Sequence, residues 1–329
     1  MMENNMPKVS VIVPVYGVEK YIARCARSLF EQTLDDIEFL FIDDCTPDNS
    51  IDVLNNVLSE YPHRKSLARV VRMEQNSGQA AVRMRGIKEA KGEYLMFCDS
   101  DDWVENQYCG LLYNEAINSN SEIVVCDYSV VNDENNVKVK SEMFPPTISK
   151  EEMMKQILHG SLSSSLCNKI FKRTLFVDKS IVPPKGNMGE DMILLLQALF
   201  YCNRVIYIKK SLYNYYYNET SITKSVSKEK DYYRFQTSIQ NTQVMDAFFQ
   251  AKGLSVILDD EFTYLKLRKL YYLLPLLSDK EIFTQWKCTF PDLFSKVIRS
   301  RVIPIKEKIS FYLTYFGLRS IFKYNRECG

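Results

Sequence analysis

The chain has 329 residues, 46% of them hydrophobic and 25% charged, an ordinary globular composition that excludes disorder and low-complexity architecture. Lys and Arg number 42 against 41 Asp and Glu, so no global field draws the chain to nucleic acid, and no nucleic-acid partner is expected. Nine cysteines, odd in number, scattered and without a CxxC pair, argue against a disulfide framework or a zinc site and for a reducing compartment, the cytoplasm. The opening MMENNMPK has no basic segment followed by an apolar core and is not read as a signal peptide. No apolar run reaches about 18 residues, so no spanning helix is expected. With His63 and His159 the only histidines, catalysis has to rest on carboxylates.

Over the first hundred or so residues, short β-branched runs alternate with segments of helical spacing. The runs at Val9 to Val15, Ile37 to Ile42, Arg69 to Met73 and Tyr94 to Cys98 predict strands. Glu19 to Glu31, Ser50 to Glu60 and Gly78 to Lys91 predict helices. Strand and helix in alternation imply an α/β sheet with right-handed crossovers, and almost wholly apolar strands imply helices on both faces. A helix over Glu105 to Asn118 and a strand over Glu122 to Val131 follow. Asn132 to Ser141 and Phe144-Pro145-Pro146 read as a loop. GNMGEDMILLLQALF reads as a loop entering a helix, and RVIYIKKSLYNYYY as a pair of strands. Beyond about residue 228 the texture is helical, aromatic and basic.

Ligands of open parallel sheets collect beyond the carboxyl ends of the strands. There the chain places Pro14-Val15-Tyr16-Gly17, then Asp43-Asp44-Cys45-Thr46-Pro47-Asp48-Asn49-Ser50, then Asp99-Ser100-Asp101-Asp102-Trp103. Neither a dinucleotide fingerprint nor a P-loop occurs among the eleven glycines, so phosphate has to be held another way. Three carboxylates within four residues repel by roughly 3 kcal/mol per pair at about 6 Å and an effective dielectric of 20, and call for a positive partner. Mg²⁺ or Mn²⁺, held by one or two carboxylates plus substrate phosphates, meets that need and can stabilise a departing diphosphate. Asp101 or Asp102 could instead cap a helix entered near Trp103. Asp48 or Ser50 can cap the second helix, which leaves Asp43 and Asp44 for a base or ribose. Tyr16 offers a flat face for a nucleobase or simply packs.

Four stretches in order, VSVIVPVYGVEKYIARCARSLFEQT, IEFLFIDDCTPDNS, NSGQAAVRMRGIKEAKGEYLMFCDSDDW and GEDMILLLQAL, resemble the family-2 inverting glycosyltransferases of the GT-A fold, over roughly residues 7 to 225. The resemblance implies an α/β GT-A (nucleotide-diphospho-sugar transferase) fold with a mixed, mainly parallel central sheet, plus a helical C-terminal region. It implies donor-binding roles for Pro14, Tyr16 and Glu19 in the first loop, for Asp44 at the base, and for Arg83, Asp99, Ser100 and Asp101. Asp99 and Asp101 match the family's Asp-x-Asp, with Asp101 as the direct metal ligand and Asp99 nearer the ribose. Asp191 of Gly189-Glu190-Asp191 matches the catalytic base; by spacing alone, Glu190 and Asp191 are equally well explained as first-turn carboxylates favoured by a helix dipole. Gly17 and Met84 depart from the family, which commonly has Asn at both places.

The expected organisation is a GT-A domain over 1–225, with a nucleotide-binding half at about 7–103 and an acceptor-side half at about 104–225, followed by a helical, basic-aromatic region over 226–329. The expected activity is metal-dependent (Mn²⁺ or Mg²⁺) inverting transfer of a sugar from a nucleotide-diphosphate donor, UDP-linked, to a glycan or lipid-linked acceptor in cell-surface polysaccharide synthesis. A sugar-nucleotide nucleotidyltransferase shares the sheet but normally has a glycine-rich first loop. A hydrolase with two carboxylates leaves the metal cluster without a role, and a non-catalytic nucleotide- or glycan-binding module leaves the acids unexplained. Residues 296–329 carry eight Lys or Arg against two Glu, a local net charge of +6. Ile305, Ile309, Tyr312, Leu313 and Phe316 recur there at helical spacing, as in helices lying on anionic membranes. Packing of that stripe onto the protein, or peripheral contact with the inner face of the cytoplasmic membrane, would each account for it.

Overall fold

A computed structural model describes residues 6–132, 136–142, 144–145, 148–217 and 227–318. In chain order it forms β1 (Val9–Val15), α1 (Ile22–Phe30), β2 (Ile37–Asp43), α2 (Ser50–Ser59), β3 (Ala68–Arg72), α3 (Gln79–Glu89), β4 (Tyr94–Phe97), β5 (Trp103–Val104), α4 (Tyr108–Asn118), β6 (Ile123–Val131) and β7 (Val137–Lys140). There follow α5 (Lys150–His159), β8 (Lys169–Lys172), α6 (Thr174–Val177), α7 (Glu190–Tyr201), β9 (Val205–Tyr216), α8 (Lys228–Ala251), α9 (Asp259–Leu270), α10 (Lys280–Cys288), α11 (Leu293–Arg299) and α12 (Ile305–Tyr315). The chain divides into two compact units. The first is Met1–Ile148 with Ser164–Asn218; the second is Ser149–Ser163 with Glu219–Gly329.

The first unit is built on one mixed sheet in the order β3-β2-β1-β4-β8-β6-β9-β5, with β7 added to β6. Its long pairings are parallel, β1 with β2 over seven positions and β6 with β9 over nine. The antiparallel pairings of β4 with β8, β6 with β8, β6 with β7 and β5 with β9 are short. β1 and β2 are buried almost throughout, as their β-branched and aromatic runs require when both sheet faces are covered. α1 turns Ile22, Cys25, Ala26, Leu29 and Phe30 inward, the spacing of an amphipathic helix. α3 lies so close to β1 that a Cβ on Gly86 would sit 2.3 Å from Ile12 Cγ2. One buried acid interrupts the apolar β2: Glu38 accepts from the Ser10 hydroxyl at 2.6 Å, the Lys91 amide at 3.0 Å and the Arg69 guanidinium at 2.9 Å.

Three expectations are corrected. No helix begins near Trp103: Trp103 and Val104 pair antiparallel with Asn214 and Tyr213, and α4 starts at Tyr108, so neither Asp101 nor Asp102 is a helix cap. The polar stretch after β6 is not all loop. Val137–Lys140 forms β7, exposed throughout, because the long β6 leaves its far half open and the alternating Val-Lys-Val-Lys supplies an edge strand. The predicted pair of strands at 204–217 is a single strand, β9, whose register on β6 shifts on either side of Asp127. Ile208 pairs with Cys126 and Ser211 with Asp127, so Lys209 and Lys210 are taken up in a bulge.

The second unit is helical. Ser149 and Ser227 accept the amides of Glu152 and Lys230 at the starts of α5 and α8, Asp279 does the same for α10, and Gly160 ends α5 in the left-handed conformation. Its core gathers Trp286, Phe235, Leu267, Leu273, Val297 and Phe311. Among the described residues no helix is long and apolar enough to cross a membrane.

Gly86→Ala tests the α3–β1 contact by its sign. A solvent-facing helix gains from that exchange, whereas a Cβ against the buried Ile12 should lower stability by about 1–3 kcal/mol. Urea unfolding measures the difference, and a stabilised variant would show that α3 does not approach β1 this closely.

Candidate active site

The carboxyl ends of β2, β1 and β4 lie side by side, and the first two loops beyond them are stitched to each other. The Gly17 amide donates to the Thr46 hydroxyl at 2.9 Å, the Val18 amide to the Ser50 hydroxyl at 3.1 Å and the Glu19 amide to Asp48 at 3.0 Å. Glu19 returns the contact by accepting from the backbone and side-chain amides of Asn49, both at 3.2 Å. Asp48, which also accepts from the Thr46 and Ser50 hydroxyls, is held down at about 2: burial opposes the shift and these hydrogen bonds outweigh it. Asp43 accepts the Thr46 amide at 2.8 Å and so serves the turn. Asp44 is buried, and its two oxygens accept the amides of Ser77 and Gly78 at 2.7 and 2.8 Å, which pins the start of α3. Each of its oxygens keeps a further lone pair. Pro14 is half-buried within β1 and Tyr16 beyond it is 50% exposed.

α3 carries the residue that joins the rest. Arg83 is 1% exposed and its guanidinium meets three carboxylates. Nη2 pairs with Asp99 at 2.9 Å, and Nη1 with Glu190 at 2.6 Å and with Asp191. One turn earlier on the same helix face, the Gln79 amide donates to the same Asp99 oxygen at 3.2 Å. Glu190 and Asp191 are the first two residues of α7, entered through Gly189 in the left-handed conformation, so their placement also suits the helix dipole. Burial works against the Arg83 charge, but Asp191, Asp99 and Glu190 together hold its pKa well above the usual value. One cation cannot balance three anions. Burial and then the Asp191 charge push Glu190 up to about 7, with Arg83 opposing. Asp191 is likewise raised, by burial first and by Asp99, against Arg83 and Lys169.

Within the acidic run the members differ. Asp102 is buried, accepts from the Tyr213 hydroxyl and the Tyr216 amide, and so fixes β9 against the loop after β4; burial and the neighbouring Asp101 and Asp99 raise it well above the carboxylate range. The Tyr213 hydroxyl also accepts the Asp99 amide at 3.2 Å. Ser100 is buried. Asp101 is half-buried and makes no ion pair among the described residues: Arg24, stacked 3.8 Å over Trp103, donates to its carbonyl at 2.9 Å rather than to its carboxylate. Burial and Asp99 push Asp101 up to about 6. A half-buried carboxylate with no ion pair among the described residues, feeling Arg24 only at a distance and beside an Asp99 that shares its charge with Arg83, is a hard-oxygen donor set that fits Mg²⁺ or Mn²⁺ completed by substrate phosphates. No cluster of three or more ligating side chains occurs among the described residues.

An open cleft of about 510 Å³ lies beside this run, lined by Arg24, Arg27, Glu31, Trp103 and Glu105 among others. Neither Arg83, Asp99 nor Asp191 lines it.

Residues 10–178 match the family model described as Glycosyl transferase family 2. The chain belongs to that family. The "Putative glycosyltransferase EpsH" of Bacillus subtilis is 30% identical over 249 residues, 74% of this chain and 70% of EpsH. Poly(ribitol-phosphate) beta-N-acetylglucosaminyltransferase TarP of Staphylococcus aureus is 30% identical over 68% of this chain and 69% of TarP. Two further relatives are matched over 64% and 32% of their own length. Among solved structures, S. aureus TarS 1-349 in complex with UDP-GlcNAc superposes with a TM-score of 0.60 at 17% identity, covering 98% of both chains, a likeness of fold. The chain is therefore a family-2 glycosyltransferase with a GT-A fold. The matched span contains Asp44, Arg83, Asp99 and Asp101; Glu190 and Asp191 lie beyond it.

In the sequence Asp99, Asp101, Arg83 and Asp191 stand out separately. The structure joins three of them on one guanidinium and adds Glu190, Gln79 and Tyr213. It also adds Lys169 on β8, whose ammonium donates to the Ser165 carbonyl at 2.8 Å and to Asn168 at 2.7 Å. Lys169 is buried, which lowers its pKa, with Glu142 acting the other way. Asn187 fills the space beside Gly78, where a Cβ would lie 2.1 Å from its amide nitrogen.

Because the folded protein binds the Glu190 proton more tightly than the unfolded chain, stability relative to Glu190→Gln should be fully present below about 4.5 and decline as pH rises through about 7. Urea unfolding of both proteins without divalent cation or nucleotide, at about pH 5 and about pH 8, reads this slope. A difference that is flat or grows with pH contradicts it.

Proposed function

We propose that the chain is a metal-assisted inverting glycosyltransferase that moves a sugar from a UDP-linked donor to a glycan or lipid-linked acceptor in the assembly of cell-surface polysaccharide. The observation that carries this reading is Arg83, which ties Asp99 at the end of β4 to Asp191 at the start of α7, a donor-side and an acceptor-side acid on one fixed group. The uridine donor is supported by the UDP-GlcNAc complex of TarS, and a polymeric cell-surface acceptor by the poly(ribitol-phosphate) named for TarP. The odd number of scattered cysteines without a CxxC pair is the basis for proposing a reducing, cytoplasmic site of action.

In this mechanism the acceptor hydroxyl forms a bond to the anomeric carbon as the bond from that carbon to the diphosphate breaks on the opposite face. Asp191 takes the hydroxyl proton. Its raised pKa brings it closer to neutrality, where a general base works best, and the Arg83 contact orients it. The nucleoside diphosphate leaves with the bonding electrons. Asp101, with Asp99, would hold Mn²⁺ or Mg²⁺, whose positive charge offsets the charge developing on the diphosphate. Asp44 keeps lone pairs for the base, Tyr16 presents an exposed ring to it, Pro14 and Glu19 shape the loop beneath, and Ser100 spaces the two ligand acids.

Asp191→Asn should leave manganese-dependent UDP binding nearly intact while reducing transfer about 10²- to 10⁴-fold; undiminished turnover would remove Asp191 from the base role. Asp101→Ala should make UDP affinity insensitive to manganese in titration calorimetry, and a retained manganese response refutes its part as ligand. Screening UDP-sugars for UDP release in the presence of manganese identifies the donor.

A further inference from the structure

The second unit carries an apolar surface that its own folding does not use. α11 and α12 bury Leu293, Val297, Ile303 and Phe311 in the core around Trp286. On their other side Phe294, Ile298, Ile305, Ile309, Phe316 and Leu318 are 37%, 65%, 74%, 48%, 64% and 63% exposed. Residues 294 and 298 are one turn apart on α11, and 305 and 309 one turn apart on α12. The Phe294 ring bridges the two stripes, 5.0 Å from Tyr312 and 6.0 Å from Phe316. The stripe expected from the sequence is thus divided: Tyr312 and Leu313 are half-buried, while Ile305, Ile309 and Phe316 face solvent.

The unpaired charges around this surface are basic: Asp259 and Asp292 are taken up by Lys296 of α11, and Asp260 accepts the Arg301 amide at 2.9 Å. Arg299, Arg301 and Lys306 are exposed and form no ion pair among the described residues. The Lys308 ammonium rests on the carbonyls of Ile298 and Ser300. The one acid between 293 and 318, Glu307, is turned inward and held by the hydroxyls of Tyr264, at 2.8 Å, and Tyr271. The further basic positions Arg319, Lys323 and Arg326 lie outside the described residues.

We propose that α11 and α12 form a peripheral docking face for an anionic lipid bilayer, with the aliphatic and aromatic side chains entering the headgroup layer and the unpaired cations meeting lipid phosphates. Amphipathic helices bind such surfaces through this pairing of apolar insertion with cationic attraction.

The test is co-sedimentation of the full chain with vesicles of phosphatidylcholine alone or mixed with phosphatidylglycerol. Binding to the mixed vesicles only, weakening as salt is raised, is expected. Ile305→Asp with Ile309→Asp, and separately Arg299→Glu with Lys306→Glu, should each lower partitioning by about tenfold or more with unchanged melting temperature, since all four side chains are exposed. Absence of vesicle binding, equal binding to neutral vesicles, or variants that bind like wild type would overturn the proposal. So would self-association in sedimentation velocity that the isoleucine variants abolish while vesicle binding persists, which would make the face a contact between two copies.

Discussion

The first unit turns on a buried guanidinium. Withdrawing a charge from water costs several kcal/mol even after relaxation, and Arg83, at 1% exposure, is tolerated because Asp99, Glu190 and Asp191 converge on it. The dependence is mutual. Without Arg83 the three carboxylates, Glu190 buried and Asp99 and Asp191 half-buried, would face one another uncompensated, and with it they are still short of positive charge. Burial first, and the neighbouring acids after it, raise Glu190 and Asp191 against the pull of Arg83. The roles proposed for Asp191 as base and for Asp99 and Asp101 as cation ligands both draw on this combination of burial and excess negative charge.

The sheet makes the convergence possible. Parallel strands in the order β3-β2-β1-β4 deliver three polar loops to one edge, and the close approach of Gly86 to Ile12 sets α3 against β1. Asp44 fixes where α3 begins by holding the Ser77 and Gly78 amides, so Gln79 at its first position and Arg83 one turn on reach Asp99. From the other side Asp102, through Tyr213 and Tyr216, locks β9 to the loop that carries Asp99 and Asp101. The acids proposed to bind metal and nucleotide therefore sit on a loop braced at both ends.

Much of this was legible in the sequence, for physical reasons. β1, β2 and β4 announce themselves because fully buried strands have to be apolar throughout, and the acids that end them are conspicuous after such runs. Asp99, Asp101 and Asp191 could be picked out by residue type and resemblance, but the ion pair of Arg83 with Asp191 spans 108 positions and leaves no periodic trace. By residue type Asp102 suits a helix cap, because an Asp before an apolar residue often is one. Its actual partners come from β9, more than a hundred residues away. The β9 bulge escaped because Lys209-Lys210 looks like a turn when the partner strand is unknown, and β7 because exposed edge strands lack an apolar face. In the second unit the sequence showed a stripe and a charge excess but not which residues of the stripe the core consumes.

A double-mutant cycle on unfolding free energy, combining Arg83→Met with Asp191→Asn, measures the interaction on which this account rests. Groups within one buried network couple by about 0.5–3 kcal/mol, and the account predicts a coupling in the upper part of that range, with the second substitution relieving part of the damage done by the first. Additivity within about 0.5 kcal/mol would contradict it, because Arg83 and Asp191 would then act as strangers.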